Sequence, residues 1–224
     1  MSNKWEYDGS IHVWPMKSDD LWACEYGKLM VNDIYNGLPN FMLDADCVFC
    51  DPPYNLGQEN SYRTKAKEAT KSNSCAGFLD ALFAGIDQIS PSACFIEIGK
   101  QNLCEIETRI SKRFDYVDVY DSTYYRRQTC YIVRGGKFKA SQDYSGYDEE
   151  EVIGRICAQE PFNVIADPCM GRGLLAVKAF EHKRNFVGTE LNPARLAVAV
   201  NNIYKKGGVW QVDGALRNPL EAVK

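Results

Sequence analysis

Short apolar runs alternate along this chain with stretches of helical period, and that alternation sets the expected fold class. The runs are KLMVND (28–33), DCVFC (46–50), ACFIEIG (93–99), FNVIAD (162–167) and NFVGTE (185–190). Each is short and nearly continuous in apolar character, the pattern of strands buried on both faces. Between them, AGFLDALFAGIDQI sets Phe78, Leu79, Leu82, Phe83 and Ile86 on one helical face, and QNLCEIETRISKRF spaces Leu103, Ile106 and Ile110 likewise. EEEVIGRICAQ and LLAVKAFEH predict two further helices. A last helix carries Leu196, Val200 and Ile203 on one side, with Asn192 as its cap and Pro193 at its first position. YVDVYDSTYY and TCYIVRG predict an antiparallel strand pair joined through Arg126-Arg127-Gln128, and NGLPNFML a helical turn. Residues 55–75 are polar with almost no apolar period, which predicts a long loop, and 136–150 read as a polar linker. The class is α/β: a mostly parallel sheet with an antiparallel strand pair, covered by helices on both faces.

Composition narrows the setting. Apolar residues make up 45% and charged residues 25% of the 224, which argues against disorder and for one domain over 1–224 with a substantial core. No apolar run approaches the roughly 20 residues that cross a bilayer, and MSNKWEYDGS is mixed and polar, so no membrane segment or secretory signal is expected. The expected location is cytoplasmic. Nine cysteines, odd in number and irregular in spacing, suit reduced thiols better than disulfides. Cys47 and Cys50 form a C-x-x-C, but in a strand they point to opposite faces, and only His12 and His182 offer imidazoles; no metal site is expected. A net charge of -4 disfavours nonspecific coating of nucleic acid yet leaves room for local basic patches. Arg63, Lys65, Lys67 and Lys71 form one such patch, and Arg126, Arg127, Arg134, Lys137 and Lys139 another; acids gather at 148–151.

Two segments carry candidate chemistry. In VIADPCMGRGLL a strand ends at Asp167, and Gly171 and Gly173 precede a helix, so backbone there lies open to a ligand at the sheet's carboxyl edge. The next strand ends in Glu190, placed to accept hydrogen bonds from ribose hydroxyls. The third glycine of a dinucleotide loop and the Lys-Ser/Thr of a phosphate loop are missing, and Asp167 repels a pyrophosphate. A cationic, phosphate-free nucleoside fits better. The other segment is DCVFCDPPYNLG, where a buried strand leaves the core through Asp51-Pro52-Pro53-Tyr54-Asn55. Either this is a plain turn, or a carboxylate and a ring are held still beside a flat polar ligand.

Asp51-Pro52-Pro53-Tyr54 resembles the D-P-P-Y motif of amino-methyltransferases. Residues 167–173, D-P-C-M-G-R-G, resemble their D-P-F-x-G-x-G cofactor loop, and 188–193, G-T-E-L-N-P, the acidic strand end that follows. The order, catalytic motif first, is similar to the permuted β group of bacterial and phage DNA N6-adenine or N4-cytosine methyltransferases. The match covers roughly 28–55 and 150–204, with the middle alike in layout only. It implies a three-layer Rossmann-like methyltransferase sheet, with a catalytic half over about 28–135, a minimal recognition segment over about 136–150 and a cofactor half over about 151–204. It implies S-adenosyl-L-methionine as cofactor, held by Asp167, Pro168, Cys169, Gly171, Gly173, Glu190 and Asn192. Asp33 stands where the family places an acid near the cofactor's adenine; a helix N-cap is its other reading. Asp51 and the Pro52 carbonyl would accept the two amine hydrogens, Pro53 would stiffen the corner, and Tyr54 would stack on a flipped-out base.

DNA is the implied partner, contacted by Asn55, Arg63, Lys65, Lys67, Lys71, Arg126 and Arg127, with stacking from Tyr124 and Tyr125. An aspartate before P-P-Y favours N6-adenine; N4-cytosine, RNA amino-methylation and an inactive nucleic-acid-binding module are the alternatives. Cys169 replaces the family's aromatic, and Leu174 and Leu175 replace small hydroxyl residues, changes that would weaken cofactor affinity. Pro168-Cys169 also resembles the nucleophile of carbon-5 cytosine methyltransferases, but that group lacks D-P-P-Y. The family's sizeable recognition domain is absent, which implies short or loose specificity, or a homodimer that shares recognition.

Overall fold

The computed structural model describes residues 7–70, 75–124, 128–217 and 219. Lys71, Tyr125, Arg126 and Arg127, named above as nucleic-acid contacts, lie outside them. The described strands are β1 Trp22–Ala23, β2 Gly27–Val31, β3 Cys47–Cys50, β4 Ala93–Ile98, β5 Tyr116–Tyr124, β6 Gln128–Gly136, β7 Val164–Asp167, β8 Asn185–Glu190, β9 Trp210–Val212 and β10 Ala215–Arg217. They form one sheet in the order β10-β9-β1-β2-β8-β7-β3-β4-β6-β5. The five central strands, β2, β8, β7, β3 and β4, run parallel; β6 and β5 continue antiparallel at one edge, and β1, β9 and β10 at the other.

The helices are α1 Ser10–Val13, α2 Leu56–Lys65, α3 Cys75–Ile89, α4 Leu103–Ser111, α5 Glu149–Gln159, α6 Leu174–Glu181 and α7 Pro193–Lys205. Strand alternation feeds two cores. Leu29, Cys47, Phe49, Phe95, Ile165 and Phe186 pack with α5, α6 and α7 on one face. Val48, Cys50, Cys94, Ile96, Ala166 and Val187 pack with α3 and α4 on the other. Burial on both faces is why these strands are continuous apolar runs, and it sends Cys47 and Cys50 to opposite sides of the sheet.

Chain crossings position the site. From β3 the chain passes through α2 and α3 to β4, on one side; from β7 it passes through α6 to β8, on the other. β3 and β7 are neighbours, so the loops leaving them part in opposite directions and open a crevice above the sheet's carboxyl ends. Among the described residues, no helix is long and apolar enough to cross a membrane.

Two segments differ from the sequence-based expectation. The loop expected over 55–75 contains α2. Its inward residues are Glu59 and Arg63, one turn apart and each 2% exposed, so the buried face of this helix is polar and leaves no apolar period. The overlooked signal is a cap. Asn55 Oδ1 accepts from the Gln58 amide at 3.0 Å, and Gln58 Oε1 accepts from the Tyr54 amide at 2.7 Å.

The polar stretch expected to link the halves over 136–150 is anchored in the core. β6 runs to Gly136 and α5 begins at Glu149 behind a capping box from Asp148. Between them Tyr144 is fully buried, and its hydroxyl donates to Glu160 Oε1 at 2.8 Å. Removing that hydroxyl in Tyr144→Phe leaves a buried carboxylate oxygen without this donor. The expected cost is about 1–3 kcal/mol of unfolding free energy, read from urea denaturation of both proteins.

Candidate active site

Above β3 and β7 lies a cavity of about 980 Å³. Its lining brings together Asp51, Pro52, Pro53 and Tyr54 from the end of β3, Asp167 to Gly171 from the end of β7, and Glu190 from the end of β8. Segments more than a hundred residues apart thus share one hollow.

The corner after β3 is held from several sides. Pro52 and Pro53 are buried. The Tyr54 hydroxyl donates to Glu97 Oε1 at 2.5 Å, and the Tyr54 carbonyl accepts from Asn102 Nδ2 at 2.8 Å. The Tyr54 ring rests on Gly99, where a Cβ would come within 3.0 Å of its Cδ2. Burial, then the charges of Asp51 and Glu97, push the phenol far above its ordinary range, so Tyr54 stays protonated.

The glycine loop is laced to the end of β8. Gly171, at φ 57°, donates its amide to Glu190 Oε2 at 2.7 Å, while Glu190 Oε1 accepts from the Asn192 amide at 2.9 Å. A carboxylate has about four acceptor positions, so Glu190 keeps room for two more donors. A Cβ on Gly171 would sit 2.8 Å from Arg195 Nη2, and one on Gly173 (φ 80°) 2.3 Å from the Ala199 Cβ. Gly171 leaves space over the loop; Gly173 lets α6 start against α7. Asn192 caps α7 through the Ala194 amide at 2.9 Å, and it does not line the cavity.

Asp167 is buried and accepts from the Cys169 amide at 2.9 Å. Burial pushes its carboxyl up to about 7, against the pull of that amide and of Arg195 and with the push of Glu190. For Cys169 the hydrogen bond with Cys50 draws the thiol down, but burial and the charges of Asp167, Glu190 and Asp51 leave it raised. A thiol held protonated is a poor nucleophile.

Asp33 fills its cap role and more. Its Oδ1 accepts from the Tyr35 amide at 3.2 Å at the start of a 3-10 turn, and both oxygens bind Arg63, at 3.2 and 2.9 Å. The pair borders the cavity. Arg63, expected as a nucleic-acid contact, is buried, lies over the Tyr35 ring and ties α2 to the turn that follows β2. Of the remaining basic residues in that patch, Lys65 is half-buried over the Tyr62 ring and Lys67 is exposed; neither lines the cavity. Asn55 likewise turns to capping α2.

Three charged residues of this site escaped sequence reasoning. Arg195, in the first turn of α7, reaches over the Tyr62 ring and toward Glu190 Oε2 at 4.0 Å. Glu97 is the one acid inside the apolar run of β4, a signal that was available. Glu149 hid in the acid run at 148–151. Period two puts Asp51 and Glu97 on the Phe49 and Phe95 side of the sheet, the side that α5 covers with Glu149 at its N-terminus. Carboxylate oxygens of Asp51, Glu97 and Glu149 lie within 4.8 Å of one another. Burial, then Glu97, Glu149 and Asp167, raise the Asp51 carboxyl well above its usual range, with Arg195 opposing. Burial and Glu97 push Glu149 up to about 8.

No protein-family model matches the sequence, and no curated protein matches it. Solved structures do. M1.HpyAVI in complex with SAM superposes with a TM-score of 0.58 at 13% identity, over 79% of this chain and 98% of that one. TTHA0409 from Thermus thermophilus, provisionally named a DNA modification methylase and solved with S-adenosyl-L-methionine, gives 0.56 at 16%, over 80% and 93%. PvuII DNA methyltransferase, cytosine-N4-specific, gives 0.53 at 8%, over 81% and 92%. The likeness fixes the fold. It is the three-layer, Rossmann-like sheet that the sequence motifs imply.

The raised carboxyls carry a stability prediction. Asp167 and Glu149 bind protons more tightly folded than unfolded, so the stability they contribute is full below the ordinary carboxyl range and is lost as pH rises from there toward about 8. The thermal midpoint of the protein without ligand is expected to fall from about pH 6 to about pH 8.5, and to fall less in Asp167→Asn. Calorimetry at matched ionic strength reads both.

Proposed function

We propose that the chain methylates an exocyclic amine of a DNA base, adenine N6, with S-adenosyl-L-methionine as donor. The observation that carries this is the shared cavity: the acid–proline–proline–tyrosine corner faces the glycine loop across one hollow. Two structural neighbours are named as SAM complexes, and neighbours are named as DNA methylases, which supports the cofactor and the substrate class together.

The residues fit such a cofactor. Gly171 has no side chain to block approach to the loop. Glu190 retains acceptor positions for ribose hydroxyls, and Asp167 adds negative charge suited to an ammonium or sulfonium rather than to phosphate. When bound, S-adenosyl-L-methionine supplies an electrophilic methyl: the N–C bond forms as the C–S bond breaks, and sulfur keeps the electron pair.

The chain's own part is to sharpen the nucleophile. An exocyclic amine is weak because its lone pair is delocalised into the ring. Asp51 accepts one amine hydrogen and the Pro52 carbonyl the other, which localises the lone pair outside the ring plane. Both acceptors are fixed beforehand by the buried prolines, so no reorganisation is needed at the moment of reaction. Tyr54, locked by Glu97, Asn102 and Gly99, stacks on the extruded base. The methylated amine carries an extra proton, and Asp51 is the acceptor beside it.

N4-cytosine methylation needs the same clamp, and one neighbour is named for it; the aspartate before P-P-Y supports adenine. Lys65 and Lys67, with Lys71, Arg126 and Arg127, are the proposed strand contacts, and a homodimer would supply recognition surface that this chain lacks.

Asp51→Ala is expected to lower labelled-methyl transfer to DNA at least about a hundredfold while S-adenosyl-L-methionine binding persists. Nucleoside analysis of the product is expected to give N6-methyladenine. Background transfer by wild-type protein to duplex and single-stranded DNA would leave a binding module instead, and N4-methylcytosine would move the target to cytosine.

A further inference from the structure

Of the three crowded acids the amine clamp uses Asp51 alone; Glu97 spends one oxygen on the Tyr54 hydroxyl, which leaves its Oε2 and the whole of Glu149 without a part. Three chain-distant elements deliver these acids to one point: the end of β3, the carboxyl end of β4 and the first turn of α5. Glu97 is 0% exposed, and its Oε2 meets no hydrogen-bond donor. Its other oxygen takes the Tyr54 hydroxyl, and the Cys130 thiol, a weak donor, is the remaining polar group against it. Around the cluster stand Arg195 and Asp167 beside Asp51, and Asp148 and Glu150 beside Glu149. Arg195 is the one cation among these, and it is directed toward Glu190.

We propose that Asp51, Glu97 and Glu149 form a site for a hard divalent cation of the magnesium or manganese class. Their oxygens lie within 4.8 Å of one another. An octahedral ion with bonds of about 2.1 Å spaces its oxygens between about 3 Å and about 4.2 Å, so a small adjustment closes the set on one ion, with water completing it. A donor set made only of oxygen selects magnesium, manganese or calcium over zinc or copper. Glu149 is half-buried at the cavity wall and gives an ion its way in, while Glu97 supplies the buried oxygen that lacks a partner. An ion there occupies lone pairs of Asp51, so cation and target amine exclude each other; this consequence rests on the proposed function, whereas cation binding itself does not.

The test is a titration of the full chain with Mn²⁺, without cofactor or DNA, at about pH 8.5, since a higher pH favours the ionised form of carboxyls raised by their neighbours. Free Mn²⁺ is followed by paramagnetic resonance. The expected result is saturable uptake of one ion per chain, weakened at least about tenfold in Glu149→Gln and in Glu97→Gln. Thermal unfolding checks each variant; Glu149, at the cavity wall, keeps the test decisive where Glu97→Gln fails to fold. No saturable uptake, or uptake unchanged in Glu149→Gln, overturns the site and leaves shared protons as what neutralises the cluster. Because no methyl transfer is measured, this outcome is separate from failure of the Asp51→Ala prediction.

Discussion

The parallel pairing of β3 with β7 is the constraint on which the site depends. Adjacent strands lie about 4.8 Å apart, so pairing them sets the two loops at their carboxyl ends side by side. The register couples Cys47 with Ile165 and Val48 with Ala166. At the opposite end Asp46 pins it: its carboxylate accepts from the Asn163 and Val164 amides at 2.9 Å, and from Asn163 Nδ2 at the same distance. A contact between residues 117 apart in sequence thereby fixes where Asp51 and Asp167 emerge. Because the onward crossings diverge, neither loop covers the other, and the space between them stays open.

Electrostatics gives that space its character. Asp51, Glu149, Asp167 and Glu190 line it, with Glu97 buried against Asp51, and Arg195 chiefly opposes them. Burial and crowding drive Asp51, Glu97, Glu149 and Asp167 toward their neutral forms unless something positive joins them. A sulfonium cofactor is positive and a phosphate is not, which agrees with the missing third glycine and missing loop lysine. Tyr54 links the proposed clamp to the acid cluster, since the hydroxyl that holds its ring in place lands on Glu97.

Much of this was legible in the sequence because the central strands are buried on both faces, and the helices over them are amphipathic in the ordinary way. The boundaries of β8, α5 and the start of α7 follow directly from NFVGTE, EEEVIGRICAQ and the Asn192-Pro193 cap. What stayed hidden has physical causes. α2 buries an ion pair instead of an apolar stripe, so its period was invisible and Arg63 looked like a solvated cation. β1, β9 and β10 are two or three residues long and owe their existence to the sheet edge they extend. Glu149 looked like surface charge within an acidic run, and only the packing of α5 over β3 and β4 shows that it faces inward.

A crystal structure grown with S-adenosylhomocysteine tests the central claim most directly. The nucleoside is expected in the crevice between the ends of β3 and β7, its ribose hydroxyls on Glu190 and its sulfur turned toward Asp51. A nucleoside bound elsewhere, or one whose sulfur faces away from the Asp51 corner, would contradict it.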